Sequence, residues 1–146
     1  MIRRTESPQQ SAKEGPFLAA LGPSWQKCAP RVPNSEEVES NGLQVKSIDA
    51  AGKRLAVFRT ASGSISVIDR FCPHMGASLA CGKVTGERVV CPFHAWEFGT
   101  NGRCEEIPYM EQNRIPKNAK VDTFPGIEHL GWVWFYSGAE PAYSLP

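Results

Sequence analysis

The sequence lacks the features that mark a membrane or secreted protein. Its 146 residues contain no apolar run near the roughly 20 residues that a membrane helix needs. The N-terminal stretch MIRRTESPQQSAKEG is charged, but no apolar segment follows it as in a secretory signal. The net charge is only +1, too small to favour nucleic acid or an anionic membrane surface. We therefore expect a cytoplasmic protein with no nucleic-acid partner and no membrane span.

Helical periodicity is almost absent as well. Prolines at 16, 23, 30 and 33 interrupt the segment 15–37, which we expect to be extended and irregular. Short segments with strand character follow, with turns at 51–52, 62–63 and 101–102. These segments are 42–48, 53–60, 64–71, 87–93, 95–99, 103–109, 119–124 and 131–138. The pattern predicts an all-β fold class, a sandwich or barrel, with residues 1–14 as a disordered tail and 15–146 as one domain.

The chain has few histidines and an odd number of cysteines, and half of these residues are concentrated in two short stretches. Of five cysteines and three histidines, two of each lie in FCPHMG (71–76) and CPFHAW (91–96). The pattern is Cys72-x-His74, then sixteen residues, then Cys91-x-x-His94. Thiolate and neutral imidazole are ligands of transition metals, and clustered cysteines in a reducing compartment favour metal binding over disulfides. We call these two stretches the first and second box.

Two kinds of metal site use such ligands. A structural zinc site takes Cys₂His₂, but usually pairs cysteine with cysteine and histidine with histidine along the chain. Each box here mixes one cysteine with one histidine, which suits a binuclear cluster whose two irons take different ligand pairs. A non-redox metal domain, structural or sensory, stays open as an alternative.

The stretch CPHMGASLACGKVTGERVVCPFHAWEFGTNGRC resembles a Rieske [2Fe–2S] domain, and the resemblance runs from about residue 17 to the C-terminus. It implies three small antiparallel sheets with two cluster-binding loops at one tip. It further implies a [2Fe–2S] cluster whose inner iron is held by Cys72 and Cys91. His74 and His94 would hold the outer iron and turn their free ring edges toward solvent.

This sequence differs from one branch of that family at positions that influence the reduction potential of the cluster. Rieske domains of the cytochrome bc type have an extra cysteine in each box, joined as a disulfide, where this chain has Ala77 and Phe93. They also place serine and tyrosine hydroxyls near the cluster, at positions matched here by Trp96 and Phe98. Fewer hydrogen bonds to sulfur lower the potential, so we expect roughly −150 mV, the low end of the Rieske range.

The segments CPHMGASL, CPFHAWEF, GRCEEIPY and GWVWFYSGAEPAYSLP resemble the N-terminal domain of Rieske oxygenases. The resemblance is strongest to the steroid-acting group of 3-ketosteroid 9α-hydroxylases and cholesterol desaturases. It implies one-electron transfer from a reductase to an oxygenase-type partner, either as a separate carrier or as part of an oxygenase. Oxygenases of this kind continue into a mononuclear-iron domain with two histidines and a carboxylate. After the boxes only His129 remains, so we expect no oxygenase activity from this chain alone.

The remaining cysteines and aromatic residues have simpler interpretations. Cys28, Cys81 and Cys104 are expected to be reduced and partly buried, with a Cys81–Cys104 pair possible but unsupported. His129 is interpreted as structural or surface-exposed. Met75, Phe93 and Trp96 adjoin the ligands and are expected to shield a cluster from water, while Met75 or Pro92 could border a docking rim.

Overall fold

The computed structural model describes residues 24–30 and 45–145, and within these ranges it is almost entirely β-structure. Two short 3₁₀ helices, Leu79–Cys81 and Gln112–Arg114, are the helical elements of the described part. The strands are β1 Trp25–Pro30, β2 Val45–Ala50, β3 Lys53–Arg59, β4 Ile65–Asp69, β5 Lys83–Thr85, β6 Arg88–Val90, β7 Glu97–Gly99, β8 Cys104–Glu106, β9 Thr123–Phe124, β10 Gly126–His129 and β11 Trp132–Tyr136. The all-β expectation is confirmed.

The strands form three small antiparallel sheets, as the resemblance implied. Their strand orders are β1-β11-β10, β2-β3-β4-β9 and β5-β6-β7-β8. The first and second sheets are linked by the extended chain around Pro125, since β9 ends at Phe124 and β10 begins at Gly126. The third sheet is continuous in sequence and carries the second box between β6 and β7.

Strand β3 separates two hydrophobic cores. Its residues 55–58 are all fully buried, so both faces of the strand are covered. Side chains alternate across a strand, and Leu55 and Val57 accordingly pack into a core with Val133 and Phe135 of β11. The opposite face, through Phe58, packs into a larger core. That larger core includes Cys72 and Cys91, so both cysteines of the boxes are built into the main hydrophobic interior.

Three strands were not predicted from the sequence. Strand β1 lies in the proline-rich segment expected to be irregular, and it is held by pairing with β11 more than 100 residues later, with Trp25 opposite Tyr136. Strands β5 and β10 are three and four residues long, too short to show a clear alternation. Each is completed by a neighbour, since β5 pairs with β6 and β10 with β11.

Turn chemistry was predicted more successfully. Ala51 and Gly52 have positive φ angles of 49° and 71°, and they join β2 to β3 in the tight turn expected there. Gly102 likewise has a φ of 75° in the turn between β7 and β8. Neither described helix has the length or apolar character to cross a membrane. The predicted tail 1–14 and the boundary at residue 15 lie outside the described residues and stay predictions.

Candidate metal centre

The first box is a loop closed by its own backbone. The N–H of Cys72 donates to the carbonyl of Ala77 at 2.9 Å, and the N–H of Gly76 donates to the carbonyl of Cys72 at 2.9 Å. Gly76 has a φ of 74°, a left-handed conformation that glycine adopts at little cost. These two bonds turn the chain sharply around Pro73 and His74, so that the cysteine and the histidine leave the same small loop.

The second box repeats that arrangement. The N–H of Cys91 donates to the carbonyl of Trp96 at 2.8 Å, and the N–H of Ala95 donates to the carbonyl of Cys91 at 3.1 Å. Ala95 has a φ of 56°, at the same place in its loop as Gly76 in the first. A non-glycine residue in this region costs roughly 1–2 kcal/mol, so the surrounding hydrogen bonds must hold Ala95 there. The boxes therefore differ mainly in their histidine, two positions after the cysteine in one and three in the other.

The two cysteines are buried and face each other. Cys72 and Cys91 are 2% and 3% exposed, which keeps water away from both sulfur atoms. Burial raises the pKa of the Cys72 thiol to about 11, hydrogen bonding to the backbone of His74 lowers it, and the adjacent Cys91 raises it further. The two thiols thus form a close pair, and the raised pKa keeps the Cys72 thiol protonated at neutral pH before a cluster binds. Binding a metal cluster there would release protons, because thiolates are the ligands.

The two histidines form a second pair nearer the surface. The ring centroids of His74 and His94 are 4.7 Å apart, with the rings steeply inclined at 70°. His74 is exposed and His94 is half-buried. The Nδ1 atom of His94 is buried without a hydrogen-bond partner. Buried ring nitrogens are normally satisfied, so this atom is available for a metal.

The arrangement is one thiol pair and one imidazole pair. Within residues 24–30 and 45–145, no three or more His, Cys, Asp or Glu side chains are grouped to hold a single metal ion. The chemistry of the two pairs fits a binuclear Rieske-type cluster, in which one iron takes two thiolates and the other takes two imidazoles. The unpartnered His94 nitrogen and the adjacent buried thiols are the observations that support this fit.

The neighbours of the boxes differ in exposure, which partly corrects the expected shield. Trp96 is only 8% exposed, and its ring stacks on His74 at 4.4 Å between centroids with an 11° angle. Met75 and Phe93 are 64% and 59% exposed, so their side chains mostly face solvent. Trp96 is therefore the buried member of the three and belongs to the same core as Cys72 and Cys91, whereas Met75 and Phe93 form part of an apolar rim.

The remaining cysteines and His129 behave mostly as expected. Cys28 is half-buried and Cys104 is buried. Cys81 is exposed, so the prediction of partial burial was wrong for this residue. All three are free thiols, so Cys81 and Cys104 are not paired. Cys81 lies in an open groove of about 650 Å³ beside the second box. His129 is a half-buried residue of β10, and its backbone carbonyl accepts a hydrogen bond from the indole N–H of Trp134.

Sequence reasoning missed two features around the centre. Tyr109 accepts a 2.8 Å hydrogen bond from the indole N–H of Trp96, and its only sequence signal was the PY pair after GRCEEI. Arg88 lies at the start of β6 and pairs with glutamates of β7 and β8. Such charge pairs between neighbouring strands cannot be assigned before the register is known.

Comparison with known proteins agrees with this geometry. Residues 28–125 match the family described as the Rieske [2Fe-2S] domain. The chain belongs to the Rieske [2Fe–2S] family. A domain of this family carries a Rieske-type cluster with cysteine and histidine ligands, as the resemblance implied.

Curated relatives of this Rieske domain include cholesterol 7-desaturases and the oxygenase components of 3-ketosteroid-9-alpha-monooxygenases. The chain is 45% identical over 107 residues to cholesterol 7-desaturase nvd of Xenopus laevis, covering 70% of this chain and 23% of the relative. It is 40% identical over 90 residues to the oxygenase component of 3-ketosteroid-9-alpha-monooxygenase from Rhodococcus rhodochrous, covering 60% of this chain and 23% of the relative. The chain thus spans about a quarter of the length of these relatives.

Solved structures with the same fold are also Rieske oxygenases. NdmA of Pseudomonas putida CBB5, solved with caffeine, has a TM-score of 0.67 at 29% identity, covering 76% of this chain and 32% of that one. Apo dicamba monooxygenase has a TM-score of 0.64 at 26% identity, covering 84% of this chain and 35% of that one. Fold and family therefore agree with the sequence-based expectation.

Proposed function

We propose that Cys72, His74, Cys91 and His94 hold the Rieske cluster, and that the domain passes single electrons from a reductase to an oxygenase-type acceptor. When bound, the cluster supplies a centre that gains and loses one electron at a time. The observation that carries the proposal is the buried thiol pair beside an outward imidazole pair with an unpartnered His94 Nδ1.

Of the proposed ligands, the two cysteines lie in the interior and His74 lies at the surface. Cys72 and Cys91 belong to the main hydrophobic core, which excludes water from the sulfur side of the site. Cys72 also has hydrogen bonds to the backbone at His74 and Met75, and these favour its thiolate form. His74 is exposed, so its imidazole is the group within reach of a partner protein. Electron entry and exit at the histidine side follow from this asymmetry.

The surface around the histidines supports docking of a partially apolar partner. Met75 and Phe93 are more than half exposed, and Pro92 is exposed as well. The segments 71–78 and 91–96 contain no lysine, arginine, aspartate or glutamate. An uncharged apolar rim excludes water when a partner binds, while a neutral imidazole N–H offers a hydrogen bond to a partner carboxylate.

A second candidate is the Rieske domain or subunit of a ring-hydroxylating or sterol-type oxygenase. It is favoured by the similarity to relatives named as cholesterol 7-desaturase and 3-ketosteroid-9-alpha-monooxygenase, oxygenase component. In that case the acceptor is the mononuclear iron of an oxygenase catalytic domain. The same four ligands serve both candidates. We infer a cytoplasmic location for either, supported by the absence of a disulfide among Cys28, Cys81 and Cys104.

The ligand assignment is tested by replacing one histidine at a time. We expect His74→Ala and His94→Ala to lose the rhombic EPR signal and the visible absorbance of a Rieske cluster, because each removes one of only two imidazole ligands. His129→Ala is the matched control, since His129 lies in β10 away from the boxes. It should keep both signals. Retention of an unchanged spectrum in His74→Ala or His94→Ala would overturn the assignment.

Electron delivery is tested separately with the intact protein. The chemically reduced protein is mixed anaerobically with the catalytic component of a Rieske oxygenase, and reoxidation is followed by visible absorbance. Rapid reoxidation supports the carrier function. Reduced protein that stays reduced with every such acceptor, while its ligand variants behave as expected, would leave the cluster assignment intact and contradict the carrier.

A further inference from the structure

The two proposed histidine ligands are supported very differently. The imidazole of His74 lies flat on the indole of Trp96, with centroids 4.4 Å apart and planes within 11°. The nearest aromatic partner of His94 is its chain neighbour Phe93, at 4.0 Å and tilted by 43°. Since Phe93 is 59% exposed, its ring is weakly fixed by surrounding packing. Only His74 therefore has a stacked partner that is itself buried.

Trp96 is held in place by three sets of contacts, one of its backbone and two of its side chain. Its backbone carbonyl accepts the N–H of Cys91 and so closes the second box. Its side chain packs in the main core and approaches Phe98 at 6.5 Å between centroids. Its Nε1–H donates to the Tyr109 hydroxyl at 2.8 Å. A histidine of the first box is thus held in place by a tryptophan of the second box.

Tyr109 lies beyond β8 and is 61% exposed, so packing does not explain the position of its hydroxyl. A backbone hydrogen bond from the N–H of Met110 to the carbonyl of Ile107 closes the turn that carries it. Ile107 is 1% exposed and belongs to the main core. The turn therefore has a firm base, and the hydroxyl at its tip can orient the indole.

We propose that Trp96 and Tyr109 form a positioning bracket that sets the plane of the His74 imidazole, a support that no residue in the described ranges gives to His94. Trp96 supplies the flat surface, and Tyr109 prevents that surface from rotating. The inference rests on the proposed function, because it takes His74 as a cluster ligand. Its consequence is that the two histidine ligands are inequivalent, and that the inequivalence depends on one phenolic hydroxyl outside both boxes.

The test uses Tyr109→Phe, which removes only the hydroxyl, and Tyr143→Phe as its matched control. Tyr143 is 51% exposed and contacts Tyr136 by its ring, and it lies in the C-terminal segment. The reduced proteins are compared by pulsed EPR, which resolves the nitrogen hyperfine coupling of each histidine ligand. Release of the cluster to an iron chelator is timed in parallel.

We expect Tyr109→Phe to shift or broaden one of the two nitrogen couplings and to leave the other unchanged. A net hydrogen bond is worth about 1 kcal/mol, so cluster release should be faster by about fivefold. Tyr143→Phe should match the native protein in both measurements. Native couplings and release rate in Tyr109→Phe, or equal changes in both nitrogens, would overturn the bracket.

A double-mutant cycle separates the bracket from a general loss of structure. Trp96→Phe keeps an aromatic ring but has no N–H donor. If the hydroxyl acts through the indole, adding Tyr109→Phe to Trp96→Phe should change neither the couplings nor the release rate further. Additive effects would show that Tyr109 acts elsewhere and would overturn the proposal. If His74→Ala loses its EPR signal while Tyr109→Phe is native, the ligand assignment stands and only the bracket fails.

Discussion

Gly82 follows the 3₁₀ helix between the boxes, and the space around it is already filled. A Cβ atom there would overlap the carbonyl oxygen of Val90 and lie 3.0 Å from that of Leu79. Both neighbours are backbone atoms, which cannot move aside as a flexible side chain can. Val90 directly precedes Cys91, so any displacement would reach the second box.

We predict that Gly82→Ala lowers the free energy of unfolding by about 1–3 kcal/mol, the usual cost of overpacking, and reduces cluster occupancy. Gly131→Ala is the matched control, because Gly131 lies outside both boxes. Gly131 has nothing within 4 Å of its added Cβ, and the cost there comes from its φ of 74°. That backbone strain costs roughly 1–2 kcal/mol and should leave the iron content unchanged. Chemical denaturation and iron analysis measure both effects, and equal losses in the two variants would contradict the packing argument.

Cys28 gives β1 a pH-dependent contribution to stability. Its Sγ donates to the carbonyl of Val133 at 3.4 Å, and burial raises its pKa from the ordinary value of 9.0 to about 11. The folded chain therefore binds the proton more tightly than the unfolded chain. The resulting stabilisation is fully present below pH 9 and is lost as pH rises through about 11.

We predict that the free energy of unfolding of the cluster-free protein decreases over this alkaline range, and that Cys28→Ser makes the decrease shallower. Urea unfolding at several pH values measures it. Burial also raises the pKa values of Cys72 and Cys104, so part of the slope should persist in the variant. Cys81→Ser is a control, since Cys81 is exposed. An unchanged slope in Cys28→Ser would contradict the prediction.

Arg88 joins three strands of the sheet that carries the second box. Its guanidinium lies 3.0 Å from Glu97 of β7, and 3.1 Å and 2.8 Å from Glu105 and Glu106 of β8. Hydrogen bonds to Glu106 and Glu97 raise the pKa of Arg88 above its ordinary value. Strands β6 and β7 lead into and out of the second box, so the arginine connects the two ends of that loop.

We predict that Arg88→Gln leaves the three carboxylates repelling one another and lowers the free energy of unfolding by about 1 kcal/mol, the upper end for partly exposed pairs. The loss should shrink in roughly 1 M salt, where the Debye length is about 3 Å. Arg103→Gln is the control, because Arg103 forms no ion pair with any residue in the described ranges. Equal losses at low and high salt would contradict the electrostatic origin.

The strands that the sequence predicted are those whose residue pattern and flanking turns lie within a few neighbouring residues. Strand β2 alternates, β3 and β4 are short runs rich in apolar residues, and the turn at 51–52 contains Gly52, which adopts its φ of 71° at little cost. Strand β1 depends on β11, which lies over 100 residues away, and its prolines pointed to irregular chain. The candidate ligands were predicted because four residues of two scarce types, cysteine and histidine, recur in two short stretches. Tyr109 and Arg88 were missed because their contacts arise only once β6, β7 and β8 are aligned.

For the whole molecule, the structure gives the expected low potential a physical basis. The indole N–H of Trp96 is used by Tyr109, and Phe98 is fully buried with no hydroxyl to offer. Neither residue can hydrogen-bond to a cluster sulfur and stabilise the added electron. The described part of the chain therefore lacks, at positions 96 and 98, the donors that raise the potential in the cytochrome bc type.

We predict a midpoint potential of roughly −150 mV, measured by anaerobic redox titration with EPR detection. Phe98→Tyr should raise it, because it returns a hydroxyl to that position. Phe98→Leu is the control, since it changes ring packing without adding a donor. A native potential above about +100 mV would contradict both the prediction and the oxygenase-type assignment.

The self-closing loops of the two boxes have a consequence for how the holoprotein is made. Each loop is held by backbone hydrogen bonds between its own residues, and its cysteine is anchored in the main core. A metallodomain with too little core of its own folds only when its metal arrives. Because these contacts are made by the chain itself, we expect the scaffold to form first and the cluster to be inserted in a later step. After loss of the cluster, the folded binding site should still accept a new cluster from an iron–sulfur delivery system without unfolding of the chain.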